Sequence, residues 1–147
     1  MLETILKYVA VYFGSMVKFV AGPIFGMANQ LSVVETAVFT ILGMMTTVLI
    51  ILLIVVKTRA WLIHKLNLEK KFSGGSFRFK KIWENYGVQG IAFITPLLLT
   101  PIGGSILAVM LGGSRRKILK YMFASAIFWG FTISFVFDRL GTAVFGL

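Results

Sequence analysis

Residues 85–114 constrain the fold of this chain more than any other stretch. They form a long apolar segment, ENYGVQGIAFITPLLLTPIGGSILAVMLGG. The basic residues that flank it are Arg78, Lys80 and Lys81 before it, and Arg115, Arg116, Lys117 and Lys120 after it. A helix crossing the bilayer once would place one cluster on each side, whereas Lys and Arg beside short loops favour the cytoplasmic side. A segment that enters the membrane and returns to the same face avoids this conflict.

The interior of this segment is suited to turning. Pro96, Pro101, Gly103 and Gly104 lie in its middle, where proline removes a backbone donor and glycine permits unusual dihedral angles. We therefore predict a re-entrant hairpin over residues 85–114.

The composition indicates an integral membrane protein. Of the 147 residues 58% are hydrophobic, and the mean hydropathy is +0.91, far outside the range of soluble domains. This length predicts one membrane domain over residues 1–147. The formal net charge of +10 reflects membrane topology and contact with anionic headgroups, so we expect no nucleic-acid partner.

Two uncharged apolar runs predict transmembrane helices. Thr36–Val56 would be about 31 Å long as a helix and Tyr121–Phe137 about 26 Å, close to the thickness of the hydrocarbon layer. The surrounding stretches are basic, which places residues 57–84 and 115–120 on the cytoplasmic side of the inner membrane. The two helices then run in opposite directions, and a returning segment must connect them.

The N-terminal half repeats this design in smaller form. The apolar run within residues 18–35 would be only about 24 Å long as a helix. Gly22 and Pro23 interrupt it, and Asn29 and Gln30 would be unfavourable on a lipid-facing helix. We therefore predict a second hairpin here, entering from the outer face.

An amphipathic stretch precedes each predicted hairpin and suits a helix lying in the membrane interface. The predicted order of amphipathic helix, re-entrant hairpin and transmembrane helix thus occurs twice along the chain. Repeat 1 covers residues 1–56, a basic cytoplasmic linker covers 57–77, and repeat 2 covers 78–147. The predicted fold is an all-α integral membrane protein built as an inverted repeat, a plan common among secondary transporters.

The second half also resembles a known family. The residues that carry the resemblance are Tyr86-Gly87, the run from Phe93 to Gly104 with Pro101, Gly112-Gly113, Arg115-Arg116-Lys117 and Phe128-Trp129-Gly130. They resemble the DedA superfamily, also called the VTT or SNARE-associated membrane protein family, and are most similar to its small multidrug export protein-like branch. The resemblance implies two facing hairpins that move lipids or small solutes.

The chain departs from that family at two positions. DedA proteins typically carry arginines a few residues before and after the hairpin proline, whereas this chain has Leu98 and Gly104 there. Since those arginines would hold a phosphate, the departure argues against transport of a phosphate carrier.

Several polar residues are candidates for substrate binding or coupling. Glu35 could accept a proton near a midplane cavity, or it could be an interfacial carboxylate at the end of a helix. Asn29 and Gln30 could line the cavity or bond the broken backbone of the hairpin. The hydroxyls near the prolines could likewise bond freed carbonyl groups or contact a substrate. These hydroxyls belong to Thr95, Thr100 and Ser105.

The remaining charged residues suggest simpler roles. Arg115, Arg116 and Lys117 could bind lipid headgroups or only mark the cytoplasmic side, and Asp138 and Arg139 are expected to form a local pair. The chain has no cysteine and one histidine, so we expect neither a metal nor another cofactor. No nucleophile or nucleotide motif is present, so we do not expect an enzyme.

These observations favour a membrane transporter or a lipid-translocating protein, with a small molecule or lipid as substrate. A structural or assembly membrane protein remains the alternative, because residues 88–113 are mostly apolar. Membrane lipids are expected partners. We also expect a homodimer, since two spans and two hairpins leave little bulk to seal a cavity.

Overall fold

A computed structural model describes residues 2–65, 77–110 and 113–145. Within these ranges the chain forms helices and no strands, which confirms the all-α prediction. The helices are α1 (Leu2–Val17), α2 (Ala21–Ala28), α3 (Val33–Lys65), α4 (Phe77–Leu98), α5 (Pro101–Met110) and α6 (Arg115–Phe145). Most of the predicted cytoplasmic linker, from residue 66 to 76, lies outside the described residues.

Two helices are long and apolar enough to cross a membrane. They are Val33–Val55 in α3, with 23 residues, and Arg115–Ala143 in α6, with 29 residues. Many of their outward side chains are apolar: Leu53 is 58% exposed and Phe128 is 54% exposed. Apolar surface of this kind is unfavourable in water, so the helical model is compatible with a membrane protein.

The two long helices run antiparallel. A methyl group added at Gly130 would lie 3.0 Å from Cγ1 of Ile41, while Thr36 and Asp138 line one cavity further along. Residue numbers therefore rise in opposite directions along α3 and α6. We call the end of the bundle that carries Asp138 the Asp138 end, and the opposite end the Arg115 end.

Helix α1 runs alongside α3 in the same direction. The Tyr8 hydroxyl donates to Oε1 of Glu35 at 2.7 Å, and the Thr47 hydroxyl donates to the Met16 carbonyl at 3.1 Å. The chain then turns at residues 18–20 and returns as α2, whose Gly26 packs against Thr36. Helices α1 and α2 therefore form an antiparallel pair, the first hairpin, whose turn is level with the middle of α3.

This arrangement differs from the sequence prediction, which placed the hairpin within residues 18–35 and laid α1 separately in the interface. In the structure α1 is the first leg of the hairpin. It packs on α3 along Tyr8, Tyr12 and Ser15, because Gly43 lets the α1 backbone come close: a methyl group there would overlap the Tyr12 carbonyl and lie 3.0 Å from Cβ of Ser15. Most of its apolar face stays exposed, as at Leu6 and Phe13, so apolar spacing in the sequence did not show which side of α1 meets α3.

The second half contains a similar helix pair. Helix α4 kinks at Gly87, where φ is 56° and ψ is −142°, a conformation that suits glycine. Beyond the kink, α4 runs alongside α6 in the same direction. Gln89 Nε2 donates to the Tyr121 hydroxyl at 2.7 Å, and Trp129 Nε1 donates to the Phe93 carbonyl at 2.9 Å. After residues 99–100 the chain returns as α5.

We call Gly87–Leu98 and α5 the second hairpin. As helices of these lengths, its legs are about 18 Å and 15 Å long, each too short to span the hydrocarbon. Its turn, like the first, lies beside the middle of a long helix and not at its end.

The predicted turn residues lie beside the turns themselves. Pro101 is the first residue of α5, where the missing backbone donor is not needed, and Thr100 caps the helix by accepting from the Gly103 backbone N–H at 3.1 Å. Pro96 lies in the last turn of α4. The other predicted turn residues, Gly22, Pro23, Gly103 and Gly104, lie in the first turns of α2 and α5.

Each hairpin closes where a hydroxyl meets a glycine. In the first, a methyl group at Gly22 would overlap the hydroxyls of Ser15 and Thr40. In the second, a methyl group at Gly104 would overlap the Thr95 side chain. Ser15 and Thr95 both donate to the carbonyl four residues earlier, at 2.6 and 2.7 Å, so these hydroxyls are fixed in place.

We expect Gly104→Ala to destabilise the protein by about 1–3 kcal/mol, because Thr95 is fully buried and cannot move aside without strain. Gly103→Ala is the matched control, since its added methyl group would lie 3.3 Å from the exposed Thr100 hydroxyl. Thermal unfolding in detergent measures both. Equal melting temperatures for the two variants would contradict the close packing at Gly104.

Candidate functional site

Two cavities lie at opposite ends of α6. The Asp138-end cavity has a volume of about 280 Å³ and is formed by α2, the α2–α3 connection and α6. The Arg115-end cavity has a volume of about 600 Å³ and lies between α4 and α6. The first is rich in polar side chains, whereas the second is mostly apolar.

The Asp138-end cavity has polar groups without partners. Ser134 is 3% exposed, and its hydroxyl has no hydrogen-bond partner in the described part of the chain. The predicted pair between Asp138 and Arg139 does not form, because the Arg139 guanidinium stacks 5.0 Å from the centre of the Phe135 ring. The exposed Asp138 carboxylate therefore has no ion pair among the described residues.

The end of α2 brings Gln30, but not Asn29, to this cavity. Asn29 turns back, and its side-chain amide donates to the Phe25 carbonyl at 2.8 Å, which corresponds to the second of the two roles considered for it. Gln30 lines the cavity and has a φ of 56°. This left-handed conformation ends the helix: the Leu31 N–H donates to the Gly26 carbonyl at 3.0 Å, as in glycine-terminated helices.

Glu35 caps α3. Its Oε2 accepts from the Ser32 backbone N–H at 3.0 Å and from the Ser32 hydroxyl at 2.7 Å, while its own N–H donates to the Ser32 hydroxyl at 3.3 Å. These bonds form a capping box, and the Tyr8 hydroxyl donates to the other carboxylate oxygen, Oε1. The geometry fits the helix-end role, while the coupling role remains a prediction. Ser32 links this network to the cavity wall.

The three hydroxyls predicted in the second hairpin all bond the backbone. Thr95 donates to the Ile91 carbonyl at 2.7 Å, and Ser105 donates to the Pro101 carbonyl at 2.6 Å. Thr100 caps α5. None of the three lines either of the two cavities, so the geometry supports their structural role.

The Arg115-end cavity contains polar residues that the sequence prediction missed. Its polar side chains are Gln89, Tyr121 and Ser125, and its apolar wall includes Phe93 and Phe128. Ser125 is 5% exposed, and its hydroxyl has no partner among the described residues. A single serine in an apolar helix gives no sequence signal that distinguishes a cavity wall from a packed interior, and Ser134 was missed for the same reason.

The predicted headgroup-binding residues begin α6. Arg115, Arg116 and Lys117 are all exposed, and Lys117 lies one helical turn before Tyr121 of the Arg115-end cavity. Positive charges are unfavourable at a helix N-terminus, so helix stability does not explain this cluster. Its place at one end of the bundle does fit contact with headgroups.

A packed contact lies at a level of α6 between the two cavities. Phe19, in the turn of the first hairpin, is fully buried and faces Gly130: a methyl group there would lie 3.7 Å from Cζ of Phe19. Ile41 of α3 contacts the same point. Phe128 and Ser134 line the two different cavities, and six residues of helix are about 9 Å long. Along α6 the turn of the first hairpin therefore lies at a level between the cavities, although Phe128 projects from the other side of the helix, about 200° around the axis from Gly130.

Comparisons with protein-family models, with curated proteins and with solved structures gave no match for this chain. The resemblance to the DedA superfamily rests on the quoted residues alone, and the function has to be argued from the geometry of the hairpins and cavities.

We expect Gln30→Gly to stabilise the protein by about 1 kcal/mol, because glycine adopts a positive φ without strain. Gln30→Ala removes the same side chain from the cavity but keeps the strain, so its stability should not rise. Thermal unfolding of both variants in detergent measures the difference. If Gln30→Ala were stabilised as much as Gln30→Gly, the effect would come from the lost side chain and not from the backbone.

Proposed function

We propose that this chain is a multi-pass inner-membrane protein that moves a small molecule or a lipid across the bilayer between two re-entrant hairpins. The observation that carries the proposal is the pair of cavities at opposite ends of α6, in a bundle whose two helix hairpins turn beside the middle of the long helices. Irregular backbone at membrane depth is tolerated where it is buried in protein or lines a cavity.

The two halves of the chain support an inverted repeat. In each half one helix runs alongside a long helix in the same direction. The chain then turns near the middle of that long helix, and a short helix runs back. In each half a hydroxyl just before the turn, on Ser15 or Thr95, packs against a glycine on the second leg, Gly22 or Gly104. Since α3 and α6 are antiparallel, the two hairpins enter from opposite faces.

The charges support one orientation. Arg115, Arg116, Lys117 and Lys57 are exposed at the Arg115 end, which we therefore assign to the cytoplasm. The acidic residues whose side chains the structure describes lie at the Asp138 end; they are Glu3, Glu35 and Asp138. The Asp138-end cavity then opens outward and the Arg115-end cavity opens toward the inner leaflet.

The position of Lys18 supports the proposal that water reaches the turn of the first hairpin. It is exposed and lies next to Phe19, at a depth near the middle of α3. A charged side chain there is costly unless it reaches water or a headgroup. A turn that carries a lysine at this depth suits a transport pathway better than a dry packing contact.

In this proposal Phe19, Ile41 and Gly130 form the barrier of the pathway. A movement of the first hairpin relative to α6 would open the barrier to one cavity and close it to the other, as broken helices do in alternating-access transporters. The alternative, a structural membrane protein, has its own support: the hydroxyls of Thr95, Thr100 and Ser105 all bond the backbone and line neither of the two cavities.

Topology can be tested with single cysteines, because the chain has no native cysteine. We expect Lys57→Cys and Arg116→Cys to react with a membrane-impermeant maleimide from the cytoplasmic side, and Asn29→Cys to react from the other side. Labelling in intact cells and in inverted vesicles measures this. Opposite sides for Lys57→Cys and Arg116→Cys would make residues 85–114 a crossing helix and exclude the hairpin.

Transport can be tested with purified protein in liposomes, using a fluorescent phospholipid and an organic-cation dye as separate probes. We expect the wild type to move at least one of them. Phe19→Ala should raise the passive flux several-fold because it removes the barrier side chain. Phe13→Ala is the matched control, since Phe13 is 59% exposed on the same hairpin and should leave the flux unchanged.

Because truncation of a buried phenylalanine can cost about 3–5 kcal/mol of stability, Phe19→Leu provides a milder variant with an intermediate expected flux. If the wild type and every variant move neither probe, with or without a proton gradient, the structural alternative holds and the transport proposal fails.

A further inference from the structure

The Arg115-end cavity is an open groove with a largely apolar lining. It has a volume of about 600 Å³ and lies between α4 and α6. Phe93 of α4 and Phe128 of α6 form part of its wall, and they are 49% and 54% exposed. An empty apolar groove loses dispersion contacts along its whole lining. Within a bilayer this groove is therefore filled by a hydrocarbon chain or by another protein.

The length of the groove fits a lipid chain of one leaflet. Its α6 wall runs from Tyr121 to Phe128, which are about 10 Å apart along the helix axis. Half of the hydrocarbon layer is about 15 Å thick. The groove thus matches the upper part of one acyl chain, whereas a membrane-spanning helix of a second protein would extend well beyond it.

Two hydrogen-bond donors without partners lie at the Arg115 end of the groove. The Tyr121 hydroxyl accepts from Gln89 Nε2 at 2.7 Å, and none of the described residues accepts its own proton, which it is able to donate. Lys117, one helical turn before Tyr121, is exposed and has no ion pair in the described part of the chain.

Lys117 is the basic residue of this helix end that lies closest to the groove side. At about 100° per residue, Lys117 is about 40° around α6 from Tyr121, whereas Arg116 is about 140° from it. Arg115 and Lys120 are each about 100° or more from Tyr121. The long side chain of Lys117 can therefore extend over the end of the groove while its ammonium group stays at headgroup level.

Charge complementarity selects the occupant. An apolar groove alone would accept any hydrocarbon chain, but an ammonium group and a hydroxyl at its end donate well to a phosphodiester. A lysine at the membrane surface also favours anionic over zwitterionic lipids. The acidic side chains that the structure describes, which would compete for this lysine, lie at the Asp138 end.

We infer that the groove between α4 and α6 binds one anionic phospholipid from the leaflet at the Arg115 end. Its phosphate accepts hydrogen bonds from the Lys117 ammonium group and the Tyr121 hydroxyl, and one acyl chain lies against Phe93, Ala124 and Phe128. The bound chain fills the space between the second hairpin and α6. This inference rests on the proposed function only for the membrane location, because a resident lipid need not be transported.

Trp129 provides a reporter for the groove. Its ring centre lies 5.4 Å from that of Phe93 and 5.3 Å from that of Phe128. The chain has three tryptophans, so Trp61→Phe and Trp83→Phe together leave Trp129 as the only one. Bromine atoms quench tryptophan emission at short range, and a phospholipid brominated in the middle of its acyl chains therefore reports occupancy of the groove.

Quenching of Trp129 is measured in vesicles of unbrominated phosphatidylcholine that contain brominated phosphatidylglycerol, which is anionic, or brominated phosphatidylcholine. We expect the anionic lipid to bind about fivefold more strongly, as one lysine near the headgroups provides. Lys117→Gln should remove most of this preference. Arg116→Gln is the matched control, since it removes the same charge from the other side of α6, and it should keep the preference. Equal losses in both variants would indicate unspecific surface attraction and overturn the inference.

A second pair of variants tests the groove itself. Ala124 lines the groove and is exposed, so Ala124→Phe should fill it and prevent most of the quenching. Ile127→Phe is the matched control, because Ile127 is 39% exposed on α6 outside the groove. Unchanged quenching in Ala124→Phe would overturn the inference. So would an absence of quenching by either lipid, which would mean that protein, such as a second copy of the chain, covers the groove.

The result depends neither on one background nor on transport. If the variant with Trp129 alone does not fold, native mass spectrometry of the wild type and Lys117→Gln counts the phosphatidylglycerol that each retains. Retention that Lys117→Gln loses supports the inference, and equal retention overturns it. Quenching without transport of any probe keeps the lipid site and removes the proposed function, whereas transport without quenching keeps the function and removes the site.

Discussion

The close contact between a hydroxyl and a glycine in each hairpin is the interaction on which the rest of this structure depends. A chain that turns at membrane depth must bring two helices together and satisfy the carbonyl groups near the turn. Gly22 and Gly104 bring the helices together because they lack the side chain that would separate the two legs. The hydroxyls of Ser15 and Thr95 fit against them because each is fixed by a bond to the carbonyl four residues earlier.

Glycines elsewhere extend the same principle to the whole bundle. Gly43 lets α1 approach α3, Gly26 lets α2 approach Thr36, and Gly130 leaves room for Phe19 and Ile41 beside α6. In lipid, helices gain little from the hydrophobic effect and associate through close packing and hydrogen bonds. The small residues therefore decide where the helices touch.

Sequence reasoning predicted the elements better than their contacts. The helical class, the two long apolar helices and a helix break before Pro101 follow from composition, run length and proline chemistry, each of which is local. The pairing of α1 with α2 could not be predicted in the same way, because it depends on Ser15 of α1 meeting Gly22 of α2 beside Thr40 of α3. Asp138 was expected to pair with its neighbour Arg139, but the guanidinium lies on the ring of Phe135, one helical turn away.

The position of Phe19 connects packing to function. A turn that served only to reverse the chain would need no large side chain at its centre. Phe19 nevertheless lies at the centre of this turn, next to the exposed Lys18. Here the ring lies buried against Gly130, at a level of α6 between the polar cavity and the apolar one. A residue in a turn is held by fewer backbone hydrogen bonds than one in a continuous helix. In the transport proposal the first hairpin is therefore the element that moves, whereas the second hairpin is bonded to α6 through Trp129 and Gln89.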